Sequence, residues 1–201
     1  MRKIIMFMML SVFAIGMKAA DMTDARKVLD KCASIVGNKG GAQASFKIAG
    51  SKINSSGTIA IKGNKFNAVT PQATMWYNGQ TQWTYMKQTN EVNISTPSAT
   101  QQAQMNPLNF ISMYKKGYNL SMKTVEGKYE VHMTAQNGTK GIQEAYIVID
   151  KKSFVPTQVR MRQKDKWTTI NISNFQAKKQ NDAVFTFKKA DFPTAEIVDL
   201  R

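Results

Sequence analysis

From Ala42 almost to its end, the chain consists of short runs that alternate apolar and polar residues, and no other feature limits its fold as much. ASFKIAG, GTIAIKG, NKFNAVT, TMWYNG, QWTYMK and EVNIS follow one another, separated by Gly, Asn, Ser and Pro. Period-two alternation puts every second side chain on one face of a strand, and β-branched and aromatic residues suit that pleated surface. Asn78-Gly79, Gly63-Asn64 and Ser55-Ser56-Gly57 read as hairpin punctuation. The rhythm stops at Ser95-Thr96-Pro97-Ser98. There ATQQAQ and then Asn106-Pro107 introduce a short helical insert, LNFISMYKKGY, with Leu108, Ile111 and Tyr114 or Tyr118 inward. Strands resume at YNLSMKTVEGKYEVHMT, continue through EAYIVIDKKSFVPTQVRMRQKDKWTTINISNF and close with AVFTF. The pattern predicts one antiparallel sheet of about ten or eleven strands.

Ahead of the strands, Thr23 reads as an N-cap. Ala25, Val28, Leu29, Cys32, Ile35 and Val36 recur at helical spacing, and Gly37 ends the helix. Cys32 lies on that apolar face and reads as a buried, inert thiol. Before it, Arg2-Lys3, the apolar run Ile4 to Met17 and Lys18-Ala19-Ala20 have the layout of a secretory signal peptide. The run is shorter than the roughly 18–20 apolar residues of a spanning helix. Residues 1–20 are therefore expected to be removed, leaving 21–201 as one soluble, exported domain. A sheet this long must curl, and its concave face must be covered. One amphipathic helix and one short insert are too few to fill it. The expected fold is α+β, mainly β: an incomplete, half-open antiparallel β-barrel with a helical lid over a hydrophobic cavity.

The residue inventory argues against chemistry. There is one His, one Cys and 13 Asp and Glu against 28 Lys and Arg. Acid–base catalysis and metal binding both need convergent carboxylates, His or Cys, so no catalytic residue, metal or cofactor is assigned. His132, between Val131 and Met133 on a strand, reads as surface or half-buried. Between Asp30 and Glu91 there are seven lysines and no acid. Such a balance suits an anionic membrane or an acidic partner protein. Export sets nucleic acid aside.

The stretch MWYNGQTQWTYMK holds two of the three tryptophans. By strand parity Met75 and Tyr77 share a face, Trp83 and Tyr85 share a face, and Trp76 points opposite Met75. By residue type alone the cluster reads equally as ordinary core or as cavity wall. Phe46, Ile48, Ile59, Ile61 and Phe66 supply apolar neighbours without hydrogen bonds. Eight of the 13 methionines lie beyond residue 20 and add flexible surface for varied apolar shapes.

The order of these segments resembles the LolA family of periplasmic lipoprotein carriers. DARKVLDKCASI, AQASFKI, SGTIAIKGNKFNAVTPQATMWYNGQTQWTYMKQTNEVNIS, NPLNFISMYKKGYNLSM, YIVIDKKSFVPTQVRM and DAVFTF carry the likeness over nearly the whole chain past residue 20. The resemblance implies an incomplete barrel with a helical lid in the periplasm. It implies acylated lipoproteins as cargo, an inner-membrane ABC transporter as donor and an outer-membrane lipoprotein receptor as acceptor, served by a monomer. On that basis the lipid-binding cavity is expected to hold Phe46, Ile48, Ile59, Ile61, Phe66, Met75, Trp83 and Tyr85 on the sheet, with Leu108 and Ile111 from the lid and Trp76 outside. One departure stands out: Gly63-Asn64 replaces the family's Arg-Pro after Lys62, and Lys65 is the nearest stand-in for the arginine that latches the lid. The alternative reading is a lipid- or lipoprotein-sensing domain with a regulatory role.

Overall fold

The computed structural model describes residues 13–51, 54–98, 112–137 and 141–201, with side chains from residue 22 onward. One α-helix among the described residues, α1 (Phe13–Val36), is followed by β1 (Ala42–Gly50), β2 (Asn54–Lys62), β3 (Lys65–Val69), β4 (Ala73–Tyr77), β5 (Gln82–Met86) and β6 (Glu91–Ser95). Beyond the insert come β7 (Tyr118–Val125), β8 (Lys128–Ala135), β9 (Glu144–Asp150), β10 (Pro156–Gln163), β11 (Lys166–Ala177) and β12 (Glu196–Asp199). All twelve strands form one sheet in the order β12-β6-β5-β4-β3-β2-β1-β11-β10-β9-β8-β7. Its two ends do not pair, so the barrel is half open.

Directly opposed residues of paired strands share a face, and the registers therefore trace the concave surface. One row runs Met122, Val131, Ile147, Val159, Ile170, Ile48. Another runs Ala42, Ile61, Phe66, Tyr77, Gln82, Ser95. Over β7 to β10 this face is sealed. Leu120, Val131, Met133, Ala145, Ile147, Val159 and Met161 form one buried cluster with Ala25, Val28, Leu29, Cys32 and Val36 of α1. Full burial of a side chain such as Leu29 contributes about 1.5–3 kcal/mol.

The helix is also pinned from outside its stripe. The Tyr114 hydroxyl donates to the Asp30 carboxylate, and Lys31 Nζ sits 4.0 Å from the centre of the Phe154 ring. That ring is held at a left-handed φ of 56° in the β9–β10 turn, a strained conformation for an aromatic residue. Together these contacts make α1 a fixed plug over one end of the sheet.

Three expectations change. α1 runs through Thr23 from Phe13, because no Gly or Pro interrupts residues 17–36, so Thr23 lies inside the helix and not at its start. AVFTF is not a strand: the Asn181 side chain accepts from Ala183 N at 3.0 Å and starts a 3-10 turn, Asp182–Phe185, whose Phe185 is fully buried. The strand count is twelve because the chain returns as β12, parallel to β6. That polar strand carries only Ile197 and Val198 as an apolar signal. Tyr114 and Tyr118 are both buried. Leu108 and Ile111, the lid residues, lie outside the described residues.

Candidate functional site

The sealed end of the concave face gives way to an open one. Phe46, Ile48, Ile59, Met75, Ile170 and Ile172 share the face but are only partly buried, whereas Ile61 and Phe66 are fully so. They line a trough of apolar side chains from β1, β2, β3, β4 and β11.

The trough depends on a local device in β2. Phe46 lies opposite Gly57, and a Cβ at Gly57 would stand 3.2 Å from Phe46 Cζ and 1.9 Å from the Val69 carbonyl oxygen. Only Gly lets β3 curl that closely over β2 while leaving the Phe46 ring its place. At the trough's rim Gly79, at φ 100°, packs against the Asn64 side-chain amide, which comes within 2.9 Å of where a Cβ would stand. Asn64 thus ties two hairpin tips together.

Six of the sequence-predicted residues, Phe46, Ile48, Ile59, Ile61, Phe66 and Met75, are brought onto this one face. Trp83 and Tyr85 are not. The β4–β5 loop holds four residues, 78–81, because Tyr77 pairs with Gln82. It is closed by Asn78 Oδ1 accepting from Gln80 N at 3.0 Å and Thr81 N at 2.9 Å. An even loop gives odd-numbered residues on β4 the same face as even-numbered ones on β5. Trp83 therefore stands beside Trp76, and Tyr85 beside Thr74, on the convex side. Met75 instead meets Thr84.

What covers the convex side is the chain's own C-terminal segment. Trp76 makes edge contacts with Phe187 and Phe192, each at 5.6 Å, and Tyr85 lies 4.6 Å from Phe192. Val92 and Phe185 are fully buried. Lys65 Nζ and Lys62 Nζ reach Asp182 at 2.9 and 3.2 Å, and Lys62 also donates to the Gln180 carbonyl at 3.2 Å. Lys65 therefore fastens this strap on the face away from the trough and is not a stand-in for a lid latch.

Sequence parity missed Ile170 and Ile172, although TTINIS alternates. It placed Tyr77 on the Met75 face without selecting it. Tyr77 is 2% exposed, its ring 5.5 Å from Phe66, and among the described residues its hydroxyl has no hydrogen-bond partner. Burial raises its pKa. The inner face changes character just beyond it: Gln82, Thr84, Asn93 and Ser95 replace aliphatic side chains.

His132 also lies on the convex face. Its Nε2 is 2.9 Å from Glu144 Oε1 and its ring stacks on Tyr146 at 4.3 Å. Glu144 further accepts from Arg162 Nε and the Tyr146 hydroxyl, both at 3.0 Å. Burial opposes the Glu144 charge, but the hydrogen bonds from Arg162, Tyr146 and His132 outweigh it and hold the carboxyl below its ordinary range. Every group here is engaged in one cross-strand network. Among the described residues no cluster of His, Cys, Asp and Glu suits a metal ion, and no helix is long and apolar enough to cross a membrane.

A family model described as outer membrane lipoprotein carrier protein LolA matches residues 10–165. Among solved structures, the fold is similar to an uncharacterised conserved protein of Thermus thermophilus, with a TM-score of 0.58 and 13% identity over 88% of this chain and 99% of that one. It is similar to MucB, with a TM-score of 0.50 and 12% identity, covering 83% of this chain and 63% of the MucB chain. A LolA superfamily protein of Nitrosomonas europaea gives 0.43 and 11%, over 81% of this chain and 97% of that one. No curated protein sequence matches the chain.

Proposed function

Because this chain belongs to the family of outer membrane lipoprotein carrier proteins typified by LolA, we propose that it carries the acyl chains of lipoproteins across the periplasm from the inner to the outer membrane. The observation that carries this reading is the open trough. Phe46, Ile48, Ile59, Met75, Ile170 and Ile172 form a continuous apolar surface that the described elements leave partly exposed, on a face that α1 seals over β7 to β10. Withdrawing an acyl chain from a bilayer costs about 0.8 kcal/mol per methylene. A soluble carrier must nearly match that value without exceeding what the next acceptor offers. Met75 adds an adaptable surface, and Leu108 and Ile111 complete the cavity in this reading.

The donor would be an inner-membrane ABC transporter and the acceptor an outer-membrane receptor, and no turnover is involved. The test is purification from a Gram-negative periplasm, followed by incubation with lipoprotein-loaded membranes. A carrier is recovered with acylated protein and releases it from the membranes, and Ile48→Glu abolishes both. Recovery free of acylated protein, with none released, refutes the proposal. A lipid-sensing regulator would differ in a depletion strain, since only loss of a carrier strands lipoproteins in the inner membrane.

A further inference from the structure

The concave face is amphipathic across its width. Along one row it passes from Ala42, Ile61 and Phe66 through Tyr77 to Gln82 and Ser95, and along the next from Ile59 and Met75 to Thr84 and Asn93. Tyr77 stands at the boundary. A buried hydroxyl without a partner forfeits its hydration, and folded proteins seldom keep one without cause. Phenylalanine would fill the same space without that cost, so packing does not explain the oxygen. The neighbouring wall is of the same kind. Gln82 Nε2 donates to Thr84 Oγ1 at 3.0 Å, which leaves Gln82 one further N–H on a half-buried side chain.

We propose that Tyr77, with Gln82 beside it, is a polar anchor for the carbonyl of an ester- or amide-linked acyl chain whose hydrocarbon lies over the half-buried Ile59 and Met75. The inference rests on the carrier reading and deepens it. The apolar side of the face takes the chain, and the hydroxyl donates to the carbonyl oxygen, so the site distinguishes acyl groups from hydrocarbon of equal length. A hydrocarbon lacking a carbonyl gains nothing at this position.

The test uses the full chain and two probes of matched shape, 1,2-dioctanoylglycerol and its dioctyl ether analogue, titrated calorimetrically into wild-type protein and Tyr77→Phe. The wild type is expected to bind the ester more tightly than the ether. Tyr77→Phe should lose about fivefold in ester affinity, the worth of one net hydrogen bond, and leave ether affinity unchanged. The free variant should melt no lower than the wild type, because an unpaired buried group has been removed. Equal affinity for both probes, unchanged ester binding in Tyr77→Phe, or equal losses for both probes overturns the anchor while leaving the carrier reading intact. Binding of neither probe by the wild type overturns both.

Discussion

Trp76→Ala separates the two faces of the aromatic hairpin. Trp76 is half-buried and meets two rings of the C-terminal strap, Phe187 and Phe192, each at 5.6 Å in edge geometry. Each such pair contributes about 0.5–1.5 kcal/mol beyond area. Truncating a large aromatic in a packed site costs about 3–5 kcal/mol, and partial exposure puts this residue near the low end, about 3 kcal/mol. The other fastenings are weak. The Lys62–Asp182 and Lys65–Asp182 pairs share one exposed carboxylate and are screened by solvent, and β12 is four residues long. The loss should therefore fall on the strap before the rest of the sheet opens. Hydrogen exchange is the assay: the backbone amides of Glu196 and Leu200, which donate to Asn90 at 3.0 Å and Ile94 at 2.8 Å, should exchange about two orders of magnitude faster. Protection of β8 to β10 should hold, as should acyl-chain binding. Unchanged β12 protection, or a loss spread evenly over the sheet, would refute the argument. Weakened acyl binding with the strap intact would place Trp76 in the cavity, against both the strand parity and the pairing.

Three further outcomes follow from the same geometry. Gly57→Ala places a methyl 1.9 Å from the Val69 carbonyl oxygen, so β2 and β3 must separate; a loss of at least about 2 kcal/mol should lower the melting temperature by about 4–8 °C, read by calorimetry. The depressed pKa of Glu144 stabilises the fold above the ordinary carboxylate value of 4.5 and is lost as pH falls through the lower folded value. Arg162→Gln should accordingly shift acid unfolding to higher pH, and an identical acid profile would contradict the network. Burial pushes the Cys32 thiol up to about 12, so at pH 8 it should react with a thiol reagent only as fast as the protein unfolds; prompt labelling would mean that α1 lifts off.

The sequence by itself determined what is local. Alternation named the strands and sorted each strand's side chains into two sets, and the spacing of Ala25, Val28, Leu29 and Cys32 gave the helix its buried stripe. The trough residues from Phe46 to Met75 were legible for that reason, since alternation within each strand is a local property. Tertiary structure decided which set faced which way. The four-residue loop at Asn78 put Trp83 beside Trp76, and a one-residue difference would have reversed it. The C-terminal strap turned Trp76 and Tyr85 into a convex core, although nothing near them in sequence announces Phe187 or Phe192 as partners. The same long-range packing left the Tyr77 hydroxyl buried without a partner. Hydrophobic patterning says that a face must be covered, and only the folded chain says by what.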